Sequence, residues 1–404
     1  MKIIEVNSPS TRRLFLDMVD DIYKNDEHYV RPLDIEIENI FNPKTNSFHS
    51  HGKAIRWILQ DENGKTIGRV AAFIDEKKAF TFDQPTGGMG FFECINDKRA
   101  SILLMDTCRN WLQQNGMEAM DGPINFGEND NFWGLLIYGF THPAIGMNYN
   151  PPYYQEFFES YGFKTYFEQV SNHLDLSKPM PERFSKIAEW VAKKDGYRFE
   201  HFKMTQLEKY SKDFQNIYNN AWQFHENFSP MDDITVQESL AKMKDFLDER
   251  FIWFGYVNDD PAAFMVCIPD VNQIIKHMHG KTNIIAKLKF AYHRWKGTIN
   301  RLRVVIMGVK PAYQKLGLES ALIISAQKEV QKTNHYKEVE LSWVGDFNPK
   351  MRALHESTGA SLGKKHITYR CLFTDTKEFK RSTIIARDTK SRVVSPWSLV
   401  TGNS

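Results

Sequence analysis

Short apolar runs at 54–60 and 66–74 flank Asp61-Glu-Asn-Gly64, a strong tight-turn sequence, so the pattern predicts a β-hairpin. Before it, Met1-Lys-Ile-Ile-Glu-Val predicts a first strand. Leu14, Phe15, Met18, Val19 and Ile22 then recur at helical spacing behind a Ser/Thr cap, which predicts an amphipathic helix. A polar, proline-containing stretch to about residue 51 predicts an irregular arm. Residues 89–95 predict a third strand and 100–114 a helix closed by Gly116. Short strands are expected at 119–120 and 144–148, and the turn-rich stretch 121–131 between them is too long for a mere connection.

The same order then returns. A helix pair is predicted at 203–222, strands at 251–257 and 262–268 around a turn at 258–261, and a strand at 304–309. A helix follows at 319–332, a strand at 338–343 and a short helix at 350–357. Each half closes alike, with a helix stopped by glycine before a last strand, in Phe157-Phe-Glu-Ser-Tyr-Gly-Phe163 and Leu354-His-Glu-Ser-Thr-Gly-Ala360. Two copies of one mixed α/β unit is the economical reading. The expected division is 1–177, a linker helix within 178–197, 198–375, and a polar, basic tail at 376–404.

Composition narrows the chemistry. The 404 residues are 42% hydrophobic and 25% charged, enough for ordinary globular cores. Lys and Arg total 52 against 50 Asp and Glu, so overall charge gives no reason to expect nucleic acid or an anionic membrane as partner. Cys94, Cys108, Cys267 and Cys371 are scattered and predict four buried, reduced thiols. Nowhere do 18 apolar residues run together, so no transmembrane helix and a cytoplasmic location are expected. No metal is expected, because His277-Met-His279 has no third ligand nearby. The basic run 276–303 reads as a solvated helix face; the alternative is attraction to a polyanion.

One stretch carries a chemical signature: Val309-Lys-Pro-Ala-Tyr-Gln-Lys-Leu-Gly-Leu-Glu-Ser320. A strand runs into a tight turn that opens a helix. Its free first amides and its dipole favour an anion, and Gly317 lets a phosphate approach the backbone. Lys310 and Lys315 can add positive charge. Glu319 stands where a small residue is wanted. It either turns outward and leaves its N–H available, or it stabilises the first turn of a helix that binds nothing.

With the strand-turn-strand layout and Asn348 and Gly359-Ala360 downstream, this stretch resembles the GNAT superfamily of acyl-CoA-dependent N-acyltransferases, best over 304–360. Tyr161-Gly162-Phe163 carries a looser match in the first half. Gly87-Gly-Met-Gly-Phe-Phe-Glu93, Asp121-Gly-Pro-Ile-Asn125, Gly134-Leu-Leu-Ile-Tyr-Gly-Phe140 and Tyr149-Asn-Pro-Pro-Tyr-Tyr154 are similar to segments of bacterial tandem-GNAT proteins. The resemblance implies two GNAT-like folds in tandem, each a mixed, mostly antiparallel sheet flanked by helices. It implies acetyl-CoA or another acyl-CoA as donor and a small-molecule or peptide amine as acceptor.

It also assigns roles. Met307, Val309, Gln314, Lys315, Gly317, Leu318 and Ser320 would hold the donor, mainly through backbone. Asn348 would lie near the thioester or cap a helix. His355 takes the place of the family's proton-donating tyrosine, or is a helix-surface histidine. Glu340 would act as a base through water, or face solvent. Trp222, His225 and Glu226 would wall an acceptor pocket, with Asn125, Asn129, Tyr153 and Tyr154 as a polar and aromatic cluster of the first half. The first half has no glycine loop after its third strand, so no donor is expected there. Two rival readings stay open: a Fem-type aminoacyl-tRNA-dependent transferase, which also joins two such units, and a non-catalytic fold that binds a ligand or partner.

Overall fold

The computed structural model describes the chain except residues 128–130, 223–230, 232–235, 238–239, 241–246, 334, 375–376 and 383–404, and of Trp222 only the backbone. The first half runs β1 (Lys2–Glu5), α1 (Pro9–Asp17), α2 (Asp34–Ile40), β2 (Gly52–Gln60), β3 (Thr66–Asp75), β4 (Thr86–Cys94), α3 (Lys98–Gln114), β5 (Ala119–Gly122), β6 (Leu135–Tyr138), α4 (Tyr154–Tyr161) and β7 (Lys164–Asp175). After α5 (Glu182–Ala192) the order repeats as β8 (Tyr197–His201), α6 (Leu207–Trp222), β9 (Ile252–Val257), β10 (Asp260–Pro269), α7 (Ile284–Trp295), β11 (Arg301–Val309), α8 (Leu318–Thr333), β12 (Glu338–Gly345), α9 (Pro349–Ser357) and β13 (Ser361–Leu372).

Local chemistry explains the boundaries. Ser8 and Thr11 form a reciprocal capping box that starts α1. Asp97 accepts from two amides to start α3, whose Ala100, Leu104, Met105, Cys108 and Leu112 recur at helical spacing and are fully buried. The glycines that stop α4 and α9, Gly162 and Gly359, sit at φ +110° and +84°, where a side chain is strained. The arm before residue 51 is more ordered than its polarity suggests. It holds α2, and Arg31 binds Asp17 and Asp34 at 2.9 and 2.8 Å, and Asp20 as well. The strand expected at 144–148 is not formed. Its polar groups are spent elsewhere: the Ile145 amide donates to Asp270 (2.9 Å) and the Asn148 carbonyl accepts from His366 (2.9 Å). The strand of this region is β6, which pairs with β13.

The strands differ from the expected pair of sheets. They lie in one continuous order, β1-β2-β3-β4-β5-β13-β7-β12-β11-β10-β9-β8, with β6 beside β13. The last strand of each half pairs with the fifth strand of the other. β13 lies against β5 (Tyr369↔Gly122), β7 lies against β12 (His173↔Glu340), and β13 and β7 pair with each other. Arg370 of β13 holds Asp121 of β5 through two hydrogen bonds of 2.6 and 2.8 Å, both groups buried. On one face of the sheet α3 and α4 cover the first core and α5 and α8 the second. On the opposite face α6 covers a third core over β9, β10 and β11. Residues 142–148 also cross this face and tie the halves together. Arg301, held by Asp270 at 2.7 Å, donates to the carbonyls of His142 (3.1 Å) and Pro143 (3.2 Å). The four cysteines are buried free thiols, and burial pushes Cys94 and Cys267 up to about 12.

An exchanged strand pair makes the two halves one cooperative unit. Asp121→Ala leaves Arg370 a buried cation without its carboxylate, which is expected to cost about 3–5 kcal/mol in urea unfolding, within a single transition. Two separate transitions, with only the first half weakened, would contradict the exchange.

Candidate functional site

The site begins where parallel pairing stops. β11 and β12 pair at Arg301↔Glu338, Leu302↔Val339 and Arg303↔Glu340, and then separate. The cause lies on the other edge of β11. Opposite Cys267 and Val266 of β10 stand Val304 and Ile306, so Val305 is an extra residue, a β-bulge. A bulge increases local twist and swings the following residues away from the neighbouring strand. The first half repeats the device. β4 and β5 pair over three residues and part after Gly88↔Asp121, and Val70 of β3 faces two residues of β4, Phe91 and Phe92.

The two wedges differ in what they contain. In the first half the chain itself fills the opening. The Ile124 amide donates to Met89 (2.8 Å), and Phe126 stacks on Phe73 with centroids 5.6 Å apart. A Cβ on Gly90 would lie 1.8 Å from the Ile124 carbonyl oxygen, so only glycine fits. The cavity beside this wedge has a volume of about 50 Å³.

In the second half β11 leads through a short 3-10 turn, Pro311–Tyr313, into α8. Lys315 and Gly317 take positive φ (+70° and +81°), and Val191 of α5 comes within 3.0 Å of where a Gly317 Cβ would stand. Among the described residues the amides of Lys315, Leu316, Gly317, Leu318 and Ser320 have no hydrogen-bond acceptor, while the Glu319 carboxylate accepts from its own amide. Burial pushes the Glu319 carboxyl up. Val309 and Leu318 are buried and Met307 packs against the same core, so all three shape the turn from beneath. Gln314 and Lys315 are exposed and Ser320 half-buried. Lys310 is corrected: its ammonium is held by both Asp260 carboxylate oxygens at 2.9 Å and does not point its charge at the turn.

On the opposite face, against the bulge, lies a cavity of about 510 Å³. Phe202, Phe214, Ile252, Phe254, Val266 and Val305 line it, and Leu33 and Ile145 of the first half complete one wall. Its volume falls within the range of about 300–1,000 Å³ typical of ligand pockets, and its walls are mainly apolar, with Glu36, Thr282 and Lys287 among the lining.

Charged side chains gather at the apex of the wedge. Val339 and Leu341 pack toward α8, so alternation turns Glu340 to the face that holds the cavity. Glu340 is buried; Lys364 stands 3.4 Å from its Oε2, and Oε1 has no hydrogen-bond partner among the described residues. Arg303, its partner across the parallel pair, is also buried. A carboxylate oxygen left without a partner at this depth is costly to bury.

Other expectations shift. His355 is buried with Nδ1 unpartnered among the described residues. Burial pushes it down to about 4, so at neutral pH it carries no imidazolium proton to donate. The Asn348 side chain caps α9, accepting from the Met351 amide at 3.2 Å. Tyr154 is core: its hydroxyl donates to Glu93 (2.9 Å) and accepts from the Cys94 amide (2.7 Å), while the Tyr153 hydroxyl donates to the Cys94 carbonyl (2.9 Å). Buried Glu93 needs donors, and these tyrosines lock α4 to β4 instead of walling an acceptor pocket. Asn125 is buried. The Trp222 side chain, His225, Glu226 and Asn129 lie outside the described residues. Lys364 was missed, and Arg303 was read only as the end of the basic run 276–303, although charges at every second position, in Arg301-Leu-Arg303 and Glu338-Val-Glu340, mark a polar strand face.

His355 and His366 are buried and His142 half-buried, and all three are pushed down to about 4, burial being the main cause. Unfolded, each titrates near 6.5, so between these values only the unfolded chain binds the protons. Stability is therefore full above pH 6.5 and falls as pH drops toward 4, by about 1.4 kcal/mol per pH unit for each histidine. Urea unfolding at pH 7, 6 and 5 should show this slope, reduced by about one-third in His355→Leu. A slope that the substitution leaves unchanged would contradict it.

No family model matches the chain. It is 25% identical over 381 residues to the bacterial ceramide synthase of Caulobacter vibrioides (strain NA1000 / CB15N), spanning 91% of this chain and 97% of that one. It is 24% identical over 367 residues to protein YghO of Escherichia coli (strain K12), spanning 88% and 92%. A solved tandem GNAT protein from the clavulanic acid biosynthesis pathway superposes with a TM-score of 0.54 at 9% identity, over 93% of this chain and 99% of that one. With two bulge-splayed parallel pairs, one per half, the chain has the tandem fold of the GCN5-related N-acetyltransferases.

Proposed function

We propose that the chain transfers an acyl group from an acyl-CoA to an amine at the second-half wedge, and that one of the two substrates carries a long hydrocarbon chain. The observation that carries this reading is the 510 Å³ apolar cavity reaching the bulge at Val305. An acetyl group fills little of such a space, whereas each buried methylene contributes about 0.8 kcal/mol. Sequence resemblance implies acetyl-CoA or another acyl-CoA as donor; the cavity favours a longer acyl-CoA, or a long-chain amine as acceptor. The relative named as a ceramide synthase fits, since a ceramide is the amide of a fatty acid with a long-chain amino alcohol.

The chemistry follows from the residues at hand. The amides of 315–318 and 320 hold the donor's diphosphate, with Lys315 supplying charge. Glu340 takes the proton released as the amine nitrogen bonds to the thioester carbon. The carbon–sulfur bond breaks, the departing thiolate takes a proton from water, and the proton held by Glu340 neutralises the hydroxide left behind, restoring the carboxylate. Lys364, 3.4 Å from Glu340 Oε2, is the cation beside that carboxylate. The first half holds no donor in this reading. It supplies Leu33 and Ile145 to the cavity, and through β7 it supports β12.

The test is thiol release and amide formation by the purified chain, with palmitoyl-CoA or acetyl-CoA as donor and a long-chain or short hydrophilic amine as acceptor. Pairs containing at least one long chain should react at least about tenfold faster than the pair with none, and Glu340→Gln should lower turnover by about 10²–10⁴-fold. Fastest turnover with acetyl-CoA and a short amine, or an active Glu340→Gln, would contradict the reading.

A further inference from the structure

From the outer face of α7 we infer that the protein docks on an anionic lipid bilayer, with the mouth of the apolar cavity toward the membrane. This goes beyond the proposed reaction and departs from the expectation that the basic run 276–303 is only a solvated face.

The inner face of α7 is settled. Ala286 is buried, Phe290 packs with it against Val30 and Met278, and His293 stacks on His277 with centroids 3.9 Å apart. The outer face is apolar. Ile284, Ile285, Leu288, Tyr292 and Trp295 are between 54% (Tyr292) and 84% (Trp295) exposed. At 3.6 residues per turn they fall within one stripe about 100° wide. The same arithmetic puts Lys289 and Lys296 along one margin of the stripe and Lys287 and Arg294 along the other, all four exposed. Bulky aliphatic and aromatic residues between two cationic margins make the pattern of a helix lying in a bilayer interface. The stripe enters the acyl boundary and the cations reach anionic headgroups. A polyanion without an apolar phase, such as RNA, would engage the cations and leave the stripe in water.

Position adds an independent reason. Ile275, Met278, Thr282, Lys287 and Phe290 form a wall of the 510 Å³ cavity. Thr282 and Lys287 are themselves exposed, so the cavity meets the surface at the first turn of α7. A lipid chain leaving a bilayer there would pass from one apolar environment to another without crossing water. No described helix is long and apolar enough to cross a membrane, so attachment would be to one surface.

The test is flotation of the full chain with vesicles of phosphatidylcholine alone or mixed with phosphatidylglycerol, compared with Leu288→Asp/Trp295→Asp. Both positions face solvent, so the variant should melt as the parent does. The expected result is co-flotation with the mixed vesicles, weakened by salt and by the absence of phosphatidylglycerol, and reduced at least tenfold in the variant. The readout needs no catalysis, so it fails or succeeds apart from the acyl-transfer reading. A parent that stays in the soluble fraction, or a variant that floats as well as the parent, would overturn the inference. So would a parent dimer that the variant dissociates, since a second copy would then cover the stripe.

Discussion

Two parallel strands that stay paired for only three residues set the rest of this structure. Parallel strands gain a ladder of hydrogen bonds by continuing, and β11 and β12 do not continue because Val305 adds one residue to β11 alone. The lost pairing leaves backbone groups on both strands without the partner a closed sheet would give. In the first half the chain meets this need itself, with Ile124 bonded to Met89 and Phe126 laid on Phe73. In the second half no such plug is present among the described residues, and the turn into α8 presents free amides beside the opening. One device, repeated, is closed in one half and open in the other.

The strand exchange gives the closed half its purpose. β7 completes the sheet against β12, the strand that carries Glu340, and places His173 opposite that residue. β13, which carries Lys364, is anchored in the first half through Arg370 and Asp121. Glu340 and its neighbouring cation thus rest on strands whose positions depend on both halves. Residues 142–148 add a second bond between halves through Arg301 and Asp270. A first half that held no ligand would still determine where Glu340 stands.

Much of the fold is legible in the chain. The hairpin turn at Asp61–Gly64, the Ser8 cap, and Gly162 and Gly359 ending matched helices are local features with local causes, and the two glycines point to the repeated order of elements. The exchange is not legible, because β7 and β13 have the same pattern whichever neighbour they pair with. The candidate site was legible only in part. The turn at Gly317 announces itself through glycine and the strand-to-helix switch. The roles of Tyr153, Tyr154 and Lys310 depend on partners far away in sequence, Glu93, Cys94 and Asp260, and so could not be read locally. His355 reads as a surface helix residue until α9 is seen to press it into the core. The cavity belongs to no single segment, since its walls come from β9, β10, α6, α7 and the first half together.

The central claim is that an acyl-CoA lies in the second wedge alone, its diphosphate on the amides that open α8. Hydrogen–deuterium exchange with and without palmitoyl-CoA addresses it directly. Amides at 315–320 and in β9–β11 should exchange more slowly with the ligand bound, while 119–127 should be unaffected. Protection centred on 119–127, or none at 315–320 at saturating ligand, would contradict the account.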